Sequence, residues 1–143
     1  GASSLDALAW QCSPGSHLVC ALLDARKHEV YCCRYRNQGG ELKKTGTEKV
    51  VAPVEAIGDI REPCLFIGNG AILYKKEISA KLGVLAHFSG RNQDNIRASS
   101  VAGLSLDCFN RQRTNDVASL VPQYIRKSDA EIHRRIKDNL LKL

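Results

Sequence analysis

The sequence predicts a mixed α/β fold: one sheet that opens as an antiparallel meander and continues through helical crossovers. Three observations carry that reading. Two strand-like runs, 17–24 and 29–36, are separated by only four residues, the spacing of a hairpin. After Pro53, short apolar runs alternate with segments of helical spacing, the signature of strand–helix–strand crossovers. The length of 143 residues, 43% hydrophobic and 25% charged, fits one domain that buries about two-thirds of its unfolded surface without metal or disulfide staples.

Ser3 or Ser4 caps a short helix over 5–11, with Asp6 in its first turn, where the helix dipole favours an acid. Ser13-Pro14-Gly15-Ser16 then breaks the chain. Residues 17–24 form a nearly continuous apolar run, suited to a strand buried on both faces. Residues 29–36 hold Val30, Tyr31, Cys32, Cys33 and Tyr35, which favour strand. A hairpin loop over 25–28 sets Asp24 opposite Glu29. That register places Cys20 opposite Cys33 and turns Cys32 to the other face. Past Asn37-Gln38-Gly39-Gly40, a more exposed third strand runs over 41–51, with Gly46 marking a bulge.

Pro53 opens a helix to about 60. A strand over 64–67, a tight turn at Gly68-Asn69-Gly70 and a helix over 71–82 stopped by Gly83 follow. A short strand over 84–88 precedes a long helix over 92–113. Residues 117–126 read as extended, because Pro122 restricts Val121. Ser128 and Glu131 form a capping box for a last, basic helix. The order, a helix, then β-β-β-α-β-α-β-α, then a helix, is that of one ribonuclease-H-like half of an actin-like ATPase fold. Residues 1–12 read as the terminal helix of an N-terminal half outside this chain, 13–126 as the domain and 127–143 as a basic C-terminal helix. The first helix is expected to pack outside the strand unit. The chain contains no Met and reads as a piece of a longer protein.

Net charge is +6. The excess lies in 24–49, with seven basic and four acidic residues, and in 91–143, with ten and six. A basic balance of this size fits either an ordinary solvated surface or an acidic partner such as RNA. No apolar run approaches the ~18 residues of a membrane span, and 1–6 has no basic-then-apolar signal segment. The six cysteines form no Cys-x-x-Cys pair and sit mostly among apolar neighbours. That pattern predicts reduced core thiols in a cytoplasmic protein.

Candidate site residues are few. Asp24 stands at the hairpin, where two-lobed ATPases hold a phosphate, but Ala25-Arg26 follows instead of glycine. Arg26 offers a guanidinium in place of close backbone approach; a surface hairpin with a turn-forming Asp explains the same residues. Gly68 and Gly70 flank a strand-to-helix turn, read either as an anion cradle or as a turn that needs positive φ. His17, His28, His87 and His133 include no His-x-x-x-His pair, so no metal site is expected. No Gly-x-Ser-x-Gly occurs, and no catalytic residue and no cofactor are expected. Strand period puts Tyr31 and Tyr35 on one face and Arg34 and Arg36 on the other, which argues against a base-stacking platform there.

Four stretches carry a resemblance. They are Ser3-Ser4-Leu5-Asp6-Ala7-Leu8-Ala9, Leu23-Asp24-Ala25-Arg26-Lys27-His28-Glu29-Val30-Tyr31, Phe66-Ile67-Gly68-Asn69-Gly70-Ala71 and Val121-Pro122-Gln123-Tyr124-Ile125-Arg126. In this order and spacing, over 1–131, the chain resembles the C-terminal half of the TsaB (YeaZ) family, part of the bacterial machinery that makes threonylcarbamoyladenosine in tRNA. The resemblance implies a non-catalytic scaffold paired with a TsaD-like catalytic paralogue and joined by a TsaE-like ATPase, with tRNA engaged indirectly. It also implies that the main dimer surface lies in the N-terminal half. A nucleotide-dependent carbamoyltransferase, or a metallopeptidase of the older glycoprotease grouping, is the alternative.

Overall fold

The structure is a computed structural model that describes residues 1–12, 15, 17–90, 92–111, 116, 118, 121, 125 and 126. β1 (Leu18–Arg26) and β2 (Glu29–Gln38) are the long antiparallel pair at the centre of the sheet. β3 (Glu41–Lys44) and β4 (Lys49–Val51) lie one after the other along the outer side of β2, both antiparallel to it. On the other side, β5 (Cys64–Ile67) runs parallel to β1, and β6 (Ala86–Phe88) parallel to β5. Among the described residues the sheet order is β3-β2-β1-β5-β6, with β4 also on β2. The mixed α/β class and the antiparallel first half are as the sequence predicts.

Both faces of the sheet are covered, which is why β1 is apolar on both. Cys20, Leu22, Val30, Cys32, Cys64 and Phe66 form one core with α2 (Pro53–Ala56) and α4 (Lys75–Leu82), which supply Ala56, Ile78 and Leu82. Val19, Ala21, Cys33, Tyr35 and Ile67 form the other, under Leu5, Leu8 and Ala9 of α1 (Ser4–Ala9). Each large aliphatic or aromatic side chain so buried contributes about 1.5–3 kcal/mol. α5 (Ala98–Asn110) packs against α1, with Gly103 under the Trp10 ring; a Cβ there would stand 2.6 Å from Trp10 Cζ2. Ser3 caps α1 by accepting the Leu5 N–H at 3.2 Å.

Several boundaries differ from expectation, each for a local reason. α1 shares a core with β1 and β2 rather than packing outside them, because Leu5, Leu8 and Ala9 find the apolar face of Val19 and Ala21. The hairpin register is one residue off. Asp24 pairs with Val30, Cys20 with Arg34 and Cys33 with Ala21, because β1 bulges between Asp24 and Arg26. The third strand is split around Gly46. The helix after Pro53 ends at Ala56, where the Gly58 and Ile60 N–H groups turn back to Glu55 and Ile57. The helix over 71–82 is two helices, α3 (Asn69–Leu73) and α4, broken at Tyr74.

The strand over 84–88 begins only at Ala86, after a tight 3-10 turn at Gly83–Leu85. The long helix starts at Ala98 rather than 92. The preceding loop is held by Ser89 Oγ on buried Asp94 (2.8 Å) and by Arg97 on the Asn92 carbonyl. The extended stretch over 117–126 lies mostly, and the helix from Ser128 wholly, outside the described residues. Among the described residues, Cys12, Cys20, Cys32, Cys33 and Cys64 are free, the last four of them buried. Among the described residues no helix is long and apolar enough to cross a membrane.

Candidate functional site

β1 does not run straight into its turn. Ala25 is the extra residue of the bulge, and Asp24 Oδ1 accepts the Arg26 N–H at 2.9 Å across it. Arg26, Lys27 and His28 then adopt left-handed φ values of 60°, 54° and 59°. Each such residue costs an L-amino acid about 1–2 kcal/mol, and hairpin turns of this hand usually use Asn-Gly. The tip is braced from both sides. Arg126 Nη1 donates to the Ala25 carbonyl at 2.6 Å, and its guanidinium lies 3.4 Å from Glu29. The His28 ring meets Tyr74 edge-on at 5.1 Å, and its Nε2 is 3.6 Å from Glu77.

The glycine turn meets this hairpin from below. Gly68 has φ 107°, and a Cβ on it would overlap the Leu22 carbonyl oxygen. At Gly70 a Cβ would stand 3.0 Å from the same carbonyl. Both glycines let α3 lie directly on the backbone of β1. Asn69 Oδ1 accepts the Asp24 N–H at 3.0 Å and ties the two loops together. Asp24, Arg26, Gly68 and Gly70 are therefore neighbours at the C-terminal ends of parallel β1 and β5. Open α/β sheets receive ligands at that end. The groups are largely used internally: the Asp24 carboxylate by its own turn, the glycines by backbone contact. Asn69 and Arg126 are the tying residues that sequence reasoning missed, although both lie inside the motifs it singled out.

A second concavity of about 440 Å³ opens where the edge strand breaks between β3 and β4. Arg34, Thr45, Thr47, Lys49, Glu55 and Asp59 are among its lining. Arg34 is engaged there: its guanidinium bonds both Asp59 carboxylate oxygens and the Ala56 carbonyl. The pair holds the Asp59 carboxyl down at about 2. Burial pushes the Cys12 and Cys32 thiols up to about 11, and the adjoining Cys64 thiol together with burial pushes Cys20 well up. Thiols held protonated in this way are poor nucleophiles. Among the described residues, no three His, Cys, Asp or Glu side chains group so as to hold a metal. Tyr31 and Tyr35 lie in the α1-side core, with Tyr35 fully packed.

The comparisons with known proteins agree with this architecture. Residues 1–134 match the family model of TsaD, tRNA N6-adenosine threonylcarbamoyltransferase. Over 132 residues, 90% of this chain, the sequence is 30% identical to the tRNA threonylcarbamoyladenosine biosynthesis protein TsaB of Bacillus subtilis. The chain belongs to the TsaB (YeaZ) branch of this family. Two solved structures from Pseudomonas aeruginosa share this fold. One, described as an uncharacterized protein with similarity to peptidase YeaZ, superposes with a TM-score of 0.71 over 87% of this chain at 24% identity. The other, YeaZ itself, gives 0.64 over 86% at 23%. The chain spans 56% of the Bacillus subtilis TsaB and 57% of each structure. The family match begins at residue 1, so α1 lies within the part that matches the family model.

Proposed function

We propose that this chain is the non-catalytic, C-terminal half of a protein that serves threonylcarbamoyladenosine formation in tRNA, acting as a scaffold for a TsaD-like catalytic paralogue in the cytoplasm. The observation that carries the reading is the TsaB relationship across 90% of the chain. The hairpin–glycine junction supports it: the groups placed where a two-lobed ATPase would hold phosphate are engaged in turn and backbone contacts instead. The scaffold reading includes a TsaE-like ATPase as a further partner and puts the main dimer surface in the other half. In this reading residues 1–12 end the other half and pack on the domain of 13–126, and 127–143 are its basic C-terminal segment.

The test is genetic and chemical. A strain lacking its TsaB is supplied with the full-length parent, with this half, or with neither, and the modified nucleoside is measured by mass spectrometry of digested tRNA. The parent should restore the modification and this half alone should not. Purified chain should turn over neither ATP nor peptide. Turnover abolished by substituting a residue of this chain would overturn the reading.

A further inference from the structure

We propose that the braced hairpin tip and the start of α4 together form a docking surface for the phosphate backbone of RNA. The proposal starts from how charges are matched around the tip. Its three carboxylates are each engaged: Asp24 with the Arg26 N–H, Glu29 with Arg126 and Glu77 with His28. Three exposed cations remain, Arg26, Lys75 and Lys76. None has a carboxylate within ion-pair distance among the described residues. Lys75 only rides over the Phe88 ring at 4.9 Å. The His28–Tyr74 contact sets the tip against the first turn of α4, so the cations of hairpin and helix share one end of the sheet, beyond the C-terminus of β1.

Backbone conformation makes the same point independently. Three successive non-glycine residues are held left-handed, and Arg-Lys-His occupies positions where Asn or Gly is cheaper. Strain of this kind collects where a surface has a task. The Arg126 and Tyr74 braces hold the strained tip in one shape, which lowers the ordering cost of binding. Cations on a braced backbone, with Glu29 paired to Arg126 and Asp24 tied to its own turn, suit phosphates, which give affinity without sequence readout. RNA rather than an acidic protein is favoured by the family's tRNA chemistry, so the identity of the polyanion rests on the proposed function; the surface itself does not.

The experiment measures binding of the whole chain to an unmodified tRNA transcript by fluorescence anisotropy between 50 and 200 mM salt. About three phosphate contacts predict a log–log salt slope of about −2 to −3. The variant R26N/K75E/K76E should fold normally, since Asn tolerates left-handed φ and acids suit a helix N-terminus. Its melting temperature checks this. It should bind at least tenfold more weakly with a flatter slope, while K43E/K49E, on the edge strands β3 and β4, should change affinity less than twofold. Equal losses in the two variants, or wild-type binding without salt dependence, would overturn the proposal. So would polyglutamate competing as well as tRNA, which would assign the surface to an acidic protein. Because binding is read in vitro, its failure is distinct from failure of the tRNA-modification rescue.

Discussion

Gly68 shows at the scale of one residue why a motif need not be a ligand site. A glycine beside Asn69 and Gly70 reads equally as an anion cradle and as a turn. Local sequence does not say what lies opposite, and the deciding atom, the Leu22 carbonyl oxygen, belongs to a strand 46 residues away in the chain. Replacing Gly68 with Ala forces a side chain into φ 107° and drives its Cβ into that oxygen. The expected loss is about 3 kcal/mol or more, strain plus backbone displacement, read from urea unfolding. Gly40 has φ 85° with open space around it, so Gly40→Ala should cost only the conformational strain. Equal losses at the two positions would show that close approach to β1 is not what Gly68 provides.

Elements were legible where a single pattern governs them, and less so where tertiary contact edits the pattern. The apolar run of β1 announced a strand covered on both faces, and it is. The one-residue register error came from the bulge at Ala25, which depends on Arg126 and the Asp24 turn rather than on strand propensity. α1 is the instructive case. Its Asp6 suits the helix dipole, yet it also accepts the Tyr35 hydroxyl at 2.8 Å and faces Lys44 Nζ at 3.0 Å. Lys44 continues to Glu48 at 2.8 Å, and Glu48 accepts the Ser3 hydroxyl. This chain of contacts clasps α1 to β2 and β3, and no periodicity could foretell it. Tyr35→Phe keeps the packing and removes one hydrogen bond to a charged acceptor, so it should destabilise by about 1.5–3 kcal/mol. If the clasp matters to α1, hydrogen exchange should quicken over 4–9 before it quickens in β1. Uniform acceleration, or no loss of stability, would sink that role.

Across the whole molecule, two apolar cores and a scatter of ion pairs set an asymmetric response to pH. On the acid side the clearest case is Asp59, whose folded value is about 2 against an ordinary 3.8 because Arg34 holds it. Its contribution is present above about 4 and lost as pH falls toward 2. The Asp59 side chain is 75% exposed, so solvent screening keeps that contribution small. On the alkaline side the groups are buried or, for Cys12, half-buried. Cys12 and Cys32 are raised from 9.0 to about 11, Cys33 and Cys20 are raised as well, and burial with the Asp6 hydrogen bond raises Tyr35.

For these groups the fold prefers the neutral, protonated form. The unfolded chain therefore releases protons first as pH passes about 9. Stability is complete below that value and lost as pH climbs through the folded values. Several such groups act together, so the alkaline limb should be the steeper one, with a plateau from about pH 5 to 8. Urea midpoints at pH 3.5, 7 and 10 test the order: the fall from 7 to 10 should exceed the fall from 7 to 3.5. Substituting Cys32, in the packed core, with Ala should lower stability at pH 7 through the lost packing but reduce the further loss at pH 10, because one resisting proton is gone. A midpoint at pH 10 equal to that at pH 7 would mean that these buried groups do not hold their protons as the packing requires.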